Sequence, residues 1–322
     1  MTSIDDQYRI ITNRAGWIDR TELGRLQFDG KDRHAFLQAL VSNEVEALLA
    51  NHGVYATYLT PQGRMIADLR IYNRGDRLLT VVAPGVATAL AARLDQLIFA
   101  EDVAVRDVSA EIAQLTVIGA TAEGVLERAF AVDADSLAPL AQLAAGDVVI
   151  ARADEADVPM FDVFVPAAGR DEALAAIQAA GAEPVGPALV ELLRIEAGRP
   201  AFGVDMTAET IPLEAGLQDR AISTSKGCYV GQEVIIRVLH RGGGRVVKRL
   251  VTLVFAPTAK APAAPGTAIT ADGRDIGALT SAAWSPRRER VVGLGYVHRD
   301  YAEAGRHVHA GGHDLEITGL AR

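Results

Sequence analysis

The sequence predicts an α+β protein that ends in a small β-barrel, and three observations lead to this fold class. Short apolar runs typical of strands alternate with amphipathic segments typical of helices through residues 24–197. A proline-rich stretch at 255–266 then prevents regular strand pairing and suggests a domain boundary. Beyond that stretch, turn residues separate short β-like runs, which predicts barrel strands at 267–271, 275–284, 291–297, 306–310 and 314–319.

Each element before the proline-rich stretch follows from its own pattern. Residues 24–30 read as a strand, and Asp32 then begins a helix that runs through Val41. Strands are expected next at 54–60, 65–72, 77–83 and 103–108, and Pro84 begins a helix through Phe99. The rest of the pattern predicts strands at 112–118, 147–152 and 160–165 and helices at 121–131, 170–180 and 186–197. Helices would therefore cover one face of an antiparallel sheet.

Composition and charge exclude several classes of protein. The chain has 322 residues, 49% of them hydrophobic, so it can bury a sizeable core in two or three domains. Its one cysteine excludes an intramolecular disulfide, and its polar N-terminus has no secretory pattern, so we expect a cytoplasmic protein. No apolar run reaches the roughly 18 residues of a membrane span. The net charge of −9 argues against direct nucleic-acid binding.

A basic segment at 226–249 stands out against this acidic background. It contains six basic residues, one acidic residue and the only cysteine, Cys228. This local excess of positive charge indicates an anionic partner or a chemical role. Lys226, Arg237 and His240 would favour a thiolate wherever they lie close to Cys228. Because Gly231 and polar residues follow the cysteine, we expect an exposed turn.

Simpler interpretations of the same segment stay open. A lone cysteine is most often a small buried hydrophobe, and basic residues often form only a solvated face. The three glycines at 242–244 are either a hairpin turn or a set of backbone amides suited to an anion. A Cys228–His240 nucleophilic pair would have no evident orienting partner, so a thiol hydrolase is a poor third choice.

The segment also carries a family resemblance. KGCYVGQE, which begins at Lys226, resembles the K-G-C-[FYW]-x-G-Q-E signature of the YgfZ family. Members of that family are folate-binding relatives of the glycine cleavage T-protein that support iron–sulfur proteins. Similar blocks extend over essentially the whole chain, at 14–19 (RAGWID), 61–72 (PQGRMIADLRIY), 192–205 (LLRIEAGRPAFGVD), 211–217 (IPLEAGL) and 280–286 (TSAAWSP).

The resemblance implies an architecture that the pattern alone does not supply. It predicts two ferredoxin-like lobes and a C-terminal β-barrel around a central folate channel. The first lobe would be discontinuous, built from 1–46 and 110–225, and the second lobe would span 47–109. Residues 226–250 would hold the signature and a connection, and 251–322 would form the barrel.

The resemblance also implies tetrahydrofolate, or a one-carbon derivative, as the ligand. Glu196 is expected to accept hydrogen bonds from the amino group and ring N–H of the pterin, although such a residue is often only ion-paired. Leu23 and Val190 stand where tryptophans line the folate site in some members. The residues implied in folate binding are Glu196, Arg194, Asp68, Tyr229, Gln232, Glu233, Arg237, Leu23 and Val190, and Lys226 and Cys228 are the implied catalytic residues.

One departure from the family pattern affects the expected activity. Transferase members carry two adjacent aspartates before the leucine of GRMIADLRIY, and the resemblance implies that the first is the catalytic one. This chain has Ala67 there, followed by Asp68. An alanine cannot stabilise developing positive charge at a folate nitrogen, so the pattern predicts no aminomethyl transfer.

The main functional expectation is therefore a tetrahydrofolate-binding accessory protein for assembly, insertion or repair of iron–sulfur clusters. Its partners would be iron–sulfur client enzymes or assembly proteins, and Cys228 alone could not hold an ordinary cluster. The alternatives are an aminomethyl or one-carbon transferase of the T-protein type and a folate-binding regulator without chemistry. No stably bound metal is expected, although His307, His309 and His313 have a spacing that zinc sites also use.

Overall fold

The computed structural model describes residues 2–241 and 245–322. The glycine run at 242–244, for which a turn or an anion site was predicted, lies outside the described residues. The chain divides into two compact units. The first unit comprises Met1–Tyr58, Ala67–Leu189 and Ser223–Tyr229, and the second comprises Leu59–Ile66, Val190–Ile222 and Val230–Arg322.

The described elements confirm most of the predicted order. The helices are α1 (Ile4–Asn13), α2 (Arg33–Leu40), α3 (Ala87–Asp95), α4 (Ala122–Phe130), α5 (Arg170–Ala179), α6 (Pro187–Glu196), α7 (Gln218–Ala221) and α8 (Gln232–Ile236). The strands are β1 (Gly16–Asp19), β2 (Gly24–Asp29), β3 (Gly53–Leu59), β4 (Met65–Asn73), β5 (Leu78–Val82), β6 (Ala104–Asp107), β7 (Ile112–Ile118), β8 (Gln142–Ala145), β9 (Val148–Arg152), β10 (Met160–Pro166), β11 (Glu183–Pro184), β12 (Lys248–Phe255), β13 (Ala268–Ala271), β14 (Arg274–Ser285), β15 (Arg290–His298), β16 (His307–Ala310) and β17 (His313–Leu320).

The first unit contains a six-stranded sheet in the order β11-β1-β7-β10-β9-β8. Successive side chains of a strand point to opposite faces, so β7 and β10 present two different surfaces. On β10, Phe161 and Val163 join a hydrophobic core that also contains Leu126 of α4 and Ile177 of α5. Asp162 lies on the other face of β10, and it is buried as well. A strand buried on both faces can therefore carry an apolar core and a polar site together.

The first unit also contains strands of a five-stranded sheet in the order β3-β4-β5-β2-β6. The strand β2 pairs antiparallel with both β5 and β6. Residues 24–29 therefore belong to this sheet, whereas a lobe boundary at residue 46 would assign them to the six-stranded one. The six-stranded sheet itself is discontinuous in sequence, since β1 pairs with β7 and β11.

The second unit contains a closed barrel in the order β12-β15-β14-β13-β16-β17. Its interior is filled by aliphatic side chains and Phe255. Because β12 begins at Lys248, the barrel starts before the proline-rich stretch at 255–266, which connects β12 to β13. The prolines do prevent pairing there, but they separate two strands of one barrel. The α+β class with two sheet lobes and a C-terminal barrel is confirmed.

Smaller differences have local causes. The helix predicted to run from Pro84 to Phe99 is shorter, since α3 spans Ala87–Asp95 and turns flank it. The helix α1 was not predicted, although Ser3 caps it by accepting a hydrogen bond from the backbone N–H of Asp6. Among residues 2–241 and 245–322, no helix has both the length and the apolar composition required to cross a membrane.

Candidate functional site

The first unit buries a group of charged and hydroxyl side chains where strands of its two sheets approach each other. We call this group the buried polar cluster. Strands β3 and β4 supply four of its residues from one sheet, and β7, β10 and the β9–β10 loop supply most of the others. Its members are Arg20, Tyr55, Asp68, Arg70, Tyr72, Thr116, Asp154, Glu155 and Asp162.

Strand alternation explains how these side chains converge. Residues 68, 70 and 72 lie on one face of β4, so Asp68, Arg70 and Tyr72 all point to the same side. Arg70 reaches across to the other sheet, where its Nε donates to Asp154 Oδ1 at 3.0 Å. Its Nη2 lies 3.1 Å from Glu155 Oε1.

Two arginines share Glu155. Arg20 forms an ion pair with the second carboxylate oxygen of Glu155, and both side chains are largely buried. Burial alone would raise the pKa of Glu155, but Arg20 and Arg70 together outweigh burial and lower that pKa. Glu155 is therefore held as a carboxylate between two guanidinium groups.

In Asp68 and Asp162, unlike in Glu155, the pKa of the carboxyl group is raised. Tyr55 Oη donates to Asp68 Oδ2 at 2.8 Å, and Thr116 Oγ1 donates to Asp162 Oδ1 at 2.6 Å. Burial raises the pKa of both Asp68 and Asp162, and the nearby arginines only partly offset it. Within the cluster, four carboxyl groups face two guanidinium groups, so potential acceptors outnumber the charged donors.

A hydroxyl group in the same cluster is left without a partner. Among the described residues, none forms a hydrogen bond with Tyr72 Oη, which is buried. Burial and, after it, the charge of Asp162 raise the pKa of Tyr72 well above its ordinary value. Perturbed carboxyl groups together with an unpartnered buried hydroxyl are typical of a ligand site.

The geometry of β4 changes the interpretation of Ala67. Ala67 shares its face of the strand with Leu69 and Ile71, and all three are buried. An aspartate at position 67 would point into this apolar face, away from Arg70 and Tyr72. The carboxyl group that β4 contributes to the cluster is Asp68. Ala67 therefore does not remove the carboxylate from this site, contrary to the expectation from the sequence.

Lys226 lies in a different environment from the one predicted for it. It is buried, and its ammonium group donates to the carbonyl oxygens of Gln38, Val41 and Asn43 at 2.7, 2.6 and 3.0 Å. These carbonyls lie at and just beyond the C-terminal end of α2, where a cation is favourable. Burial lowers the pKa of Lys226 to about 8. The lysine thus anchors the signature segment to α2.

Cys228 is exposed, as predicted, although the turn itself lies at residues 230–231. The next residue, Tyr229, is buried, and its ring lies 5.2 Å from the Lys226 ammonium. Burial raises the pKa of Tyr229 to about 12, and its hydroxyl has no partner among the described residues. The cysteine is thus presented to solvent between two buried anchors, Lys226 and Tyr229.

The rest of the signature belongs to the second unit and forms the start of α8. Gly231 precedes this helix with φ of 84°, and a Cβ there would lie 2.6 Å from the carbonyl oxygen of Thr60, so only glycine fits. Gln232 is half-buried, whereas Glu233 and Arg237 are exposed.

Arg194 makes a closed set of contacts in the second unit. It donates to both carboxylate oxygens of Glu191 and, at 2.7 Å, to Asp205 Oδ2. It also donates to Ser281 Oγ at 2.8 Å. Asp205 in turn accepts from the hydroxyls of Thr280 and Ser281. We call these five residues the Arg194 network, and its bonds are those of a structural brace.

Glu196 lies on the same helix and accepts a hydrogen bond from Ser285 Oγ. It lines a cavity of about 250 Å³ in the second unit, together with Thr252, Arg288 and Arg322. Leu23 and Val190 stand where some members of the resembling family have tryptophans. Leu23 is buried and Val190 is half-buried. Asp68 therefore belongs to the buried polar cluster of the first unit, and Glu196 and Arg194 belong to the second unit.

The histidines of the barrel do not form a metal site. Among the described residues, no three His, Cys, Asp or Glu side chains are arranged so that they could hold a metal ion. His309, on the exposed side of β16, lies 2.7 Å from Asp314. The zinc hypothesis for this spacing is not supported.

Comparison with known proteins places the chain in a family. Residues 1–226 match the profile of the GCVT N-terminal domain, and residues 248–317 match that of the glycine cleavage T-protein C-terminal barrel domain. The chain belongs to the glycine cleavage T-protein family. It is 30% identical to an aminomethyltransferase of Geobacillus kaustophilus over 318 residues, which cover 95% of this chain and 85% of that protein.

Other members of the family are similar over most of their length. The chain is 28% identical to a putative chloroplastic transferase of Arabidopsis thaliana, covering 94% of this chain and 69% of that protein. The crystal structure of aminomethyltransferase T of the glycine cleavage system from Bartonella henselae matches with a TM-score of 0.90. That match covers 99% of this chain and 89% of the other at 21% identity, so it shows the T-protein fold.

Sequence reasoning did not find Arg20, Arg70, Glu155 or Asp162. For Asp162 a signal was present, because a charged residue interrupts the apolar run MFDVFV of β10. For the arginines there was no comparable signal, since their partners lie far away in sequence.

Proposed function

We propose that this chain binds tetrahydrofolate, or a one-carbon derivative, at the buried polar cluster and carries out one-carbon transfer of the T-protein type. The observation that carries this proposal is Asp68, a buried carboxyl group with a raised pKa inside the cluster. The named relatives support transferase chemistry more than a role in cluster assembly.

The residues of the cluster fit a reduced folate. A pterin presents an amino group and ring N–H groups, which are hydrogen-bond donors, and a carboxyl group is their natural acceptor. Asp162 and Asp68 supply two buried carboxyl groups, and the excess of carboxyl over guanidinium groups favours a ligand rich in donors. The unpartnered hydroxyl of Tyr72 offers a further polar contact. Glu196, the acceptor implied by the family resemblance, remains a competing hypothesis.

When bound, the folate would supply the amine nitrogen that receives the one-carbon group. Burial raises the pKa of Asp68 and so favours its protonated form, and the ionised form would stabilise positive charge on the nitrogen beside it. Tyr55 fixes the orientation of the Asp68 carboxyl through its hydrogen bond. The ion pairs of Glu155 with Arg20 and Arg70 link the two sheets of the first unit near Asp68.

A coupled assay for methylene-tetrahydrofolate, with an aminomethyl-loaded carrier protein as donor, tests this function. We expect turnover by the wild type and a loss of about 10²–10⁴-fold in Asp68→Asn, the range for removing a general acid–base group. Cys228→Ser should retain full turnover. Wild-type inactivity beside an active T-protein control, or activity that appears only in Ala67→Asp, would overturn the proposal and restore the expectation from the sequence.

A second candidate function rests on a different observation, the exposed Cys228 in its anchored signature segment. A YgfZ-type protein would use this thiol to assist assembly, insertion or repair of iron–sulfur clusters in client enzymes. One thiol cannot supply the ligands of an ordinary cluster, so Cys228 would ligate transiently, share a cluster with a partner, or act as a nucleophile or redox thiol. Folate would then shape or gate that segment.

Complementation of deletion cells separates the two candidates. The readout is the activity of iron–sulfur enzymes in cells that carry the wild type, Cys228→Ser or Asp68→Asn. The second candidate predicts that only Cys228→Ser fails, whereas the first predicts that the cluster enzymes stay active in both variants. Alkylation of Cys228 in the native protein provides an independent check on thiol access.

A further inference from the structure

A second cavity lies in the first unit and uses none of the residues of the buried polar cluster. It has a volume of about 390 Å³ and receives side chains from β2, β5, β6, β9 and β10. Its lining combines an apolar wall, which includes Leu79, Val149 and Phe164, with the guanidinium groups of several arginines. A concave site with a few polar groups on an apolar wall is the usual form of a small-molecule site.

Arg74 is the distinctive residue of this cavity. It follows β4 directly, and its guanidinium carbon lies 5.1 Å from the centre of the Phe164 ring. Its Nε and Nη2 are both buried, and no described residue accepts a hydrogen bond from either. These two nitrogens are shielded from solvent, so the Arg74 charge is desolvated on one edge of the guanidinium group and has no hydrogen-bonded anion there among the described residues. Burial lowers the pKa of Arg74 to about 10, so its charge is poorly compensated.

The other arginines of the lining already have partners. Arg77 pairs with Asp76 at 2.6 Å, and Arg106 lies 3.3 Å from Glu111. Asp147 also lines the cavity, but it is exposed, and no ion pair joins it to Arg74 within the described ranges. Within the described part of the chain, no ion pair joins Arg74 to a carboxylate of the lining, although the charge of Asp76 still acts on Arg74. The Arg74 guanidinium group lies beside an aromatic ring.

We propose that this cavity binds a small carboxylate with an apolar body. The charge of the Arg74 guanidinium group would attract the carboxylate, and the apolar body would lie against Phe164, Leu79 and Val149. Phosphate would also be attracted by this charge, but it has no apolar part for this wall. The site is distinct from the proposed folate site, although Phe164 packs edge-on against Tyr72 of the cluster with ring centres 5.8 Å apart.

Fluorine NMR titration of the full chain with 4-fluorobenzoate tests this proposal, because it measures weak as well as tight binding. We expect saturable binding to the wild type, binding at least tenfold weaker in Arg74→Met, and no change in Arg9→Met, the matched control at an exposed arginine of α1 outside the cavity. Neutral 4-fluorobenzamide, which has the same body, should bind at least tenfold more weakly than the acid. Ala144→Phe, which narrows the cavity at an exposed lining residue without touching Arg74, should also weaken binding.

Several results would overturn the proposal. These are the absence of binding to the wild type, equal binding by Arg74→Met, equal binding of the amide, or displacement of 4-fluorobenzoate by an equal concentration of inorganic phosphate at constant ionic strength. A thermal melt checks that Arg74→Met is folded, and we expect at most a small loss of stability because the variant loses the contact with Phe164 but no ion pair. Asp162→Asn should leave binding unchanged, so failure of the folate proposal would not affect this test.

Discussion

The Arg194 network and the buried polar cluster both combine arginine and carboxyl side chains, and they differ in how many of their polar atoms form hydrogen bonds. In the Arg194 network of the second unit, one guanidinium group donates to Glu191, Asp205 and Ser281, and Asp205 also accepts from two hydroxyl groups. In the buried polar cluster of the first unit, carboxyl groups outnumber guanidinium groups, and the Tyr72 hydroxyl forms no hydrogen bond with a described residue. A satisfied network stabilises the fold, whereas an unsatisfied one retains polar groups for a ligand.

Arg194→Met should have the largest effect on stability. It would leave Asp205, whose side chain is fully buried, without its guanidinium partner, and breaking such a pair costs about 3–5 kcal/mol. Chemical denaturation measures this loss. Arg64→Met, which removes an exposed ion pair with Glu209 in the same unit, is the control and should change stability by less than about 1 kcal/mol. Equal effects of the two variants would contradict the structural role of the network.

A substitution in the buried polar cluster should weaken the binding of tetrahydrofolate. Asp162→Asn should weaken binding of tetrahydrofolate by about 1–3 kcal/mol. The asparagine replaces one acceptor oxygen with an NH2 group, so this group and an N–H of the pterin are both donors and one of them stays unpaired. Titration calorimetry measures the change, with Glu196→Gln as the same substitution in the second unit. If Glu196→Gln weakens binding and Asp162→Asn does not, the acceptor implied by the family resemblance is right and the cluster is not the pterin site.

Asp68 and Asp162 show which features of the site can be predicted from the sequence and which cannot. The strands that carry Asp68 and Asp162 were predicted at 65–72 and 160–165, and the structure has them at Met65–Asn73 and Met160–Pro166. Alternation separates Ala67 from Asp68, but β4 is buried on both faces, so the pattern does not reveal which face carries the site. That information comes from Arg70 and its partners in the other sheet, 84 residues away in the case of Asp154.

The signature segment gives the same lesson. Glycines and polar residues around Cys228 predict an exposed turn, and the cysteine is exposed. The neighbouring Lys226 was interpreted as a cation for the thiolate because the two are close in sequence. Its hydrogen bonds go instead to three carbonyls that precede it by 183 to 188 residues. Local sequence predicts exposure well, whereas the partners of a long side chain depend on the tertiary fold.

The pH dependence of stability offers a third test of the comparison. Burial raises the folded-state pKa of Asp68 above the roughly 3.9 of an unfolded aspartate. The contribution of Asp68 is therefore complete below the unfolded pKa and is lost as the pH rises through the folded pKa. Asp68→Asn stays neutral, so its melting temperature should rise relative to the wild type as the pH increases from acid to neutral. A constant difference across that window would show that Asp68 does not titrate as a buried acid.

The smallest expected effect concerns the hydroxyl of Tyr72. Removing a buried hydroxyl that has no protein partner also removes its desolvation cost, so Tyr72→Phe should leave the ligand-free protein equally stable or more stable by up to about 1 kcal/mol. Thermal melts with and without tetrahydrofolate test this, with Tyr8→Phe as a control in the same unit. If the hydroxyl contacts the ligand, the stabilisation by folate should be smaller in Tyr72→Phe than in the wild type. Equal stabilisation by folate in both proteins would mean that the Tyr72 hydroxyl does not contact the ligand. The buried polar cluster would then resemble the Arg194 network in having a structural role.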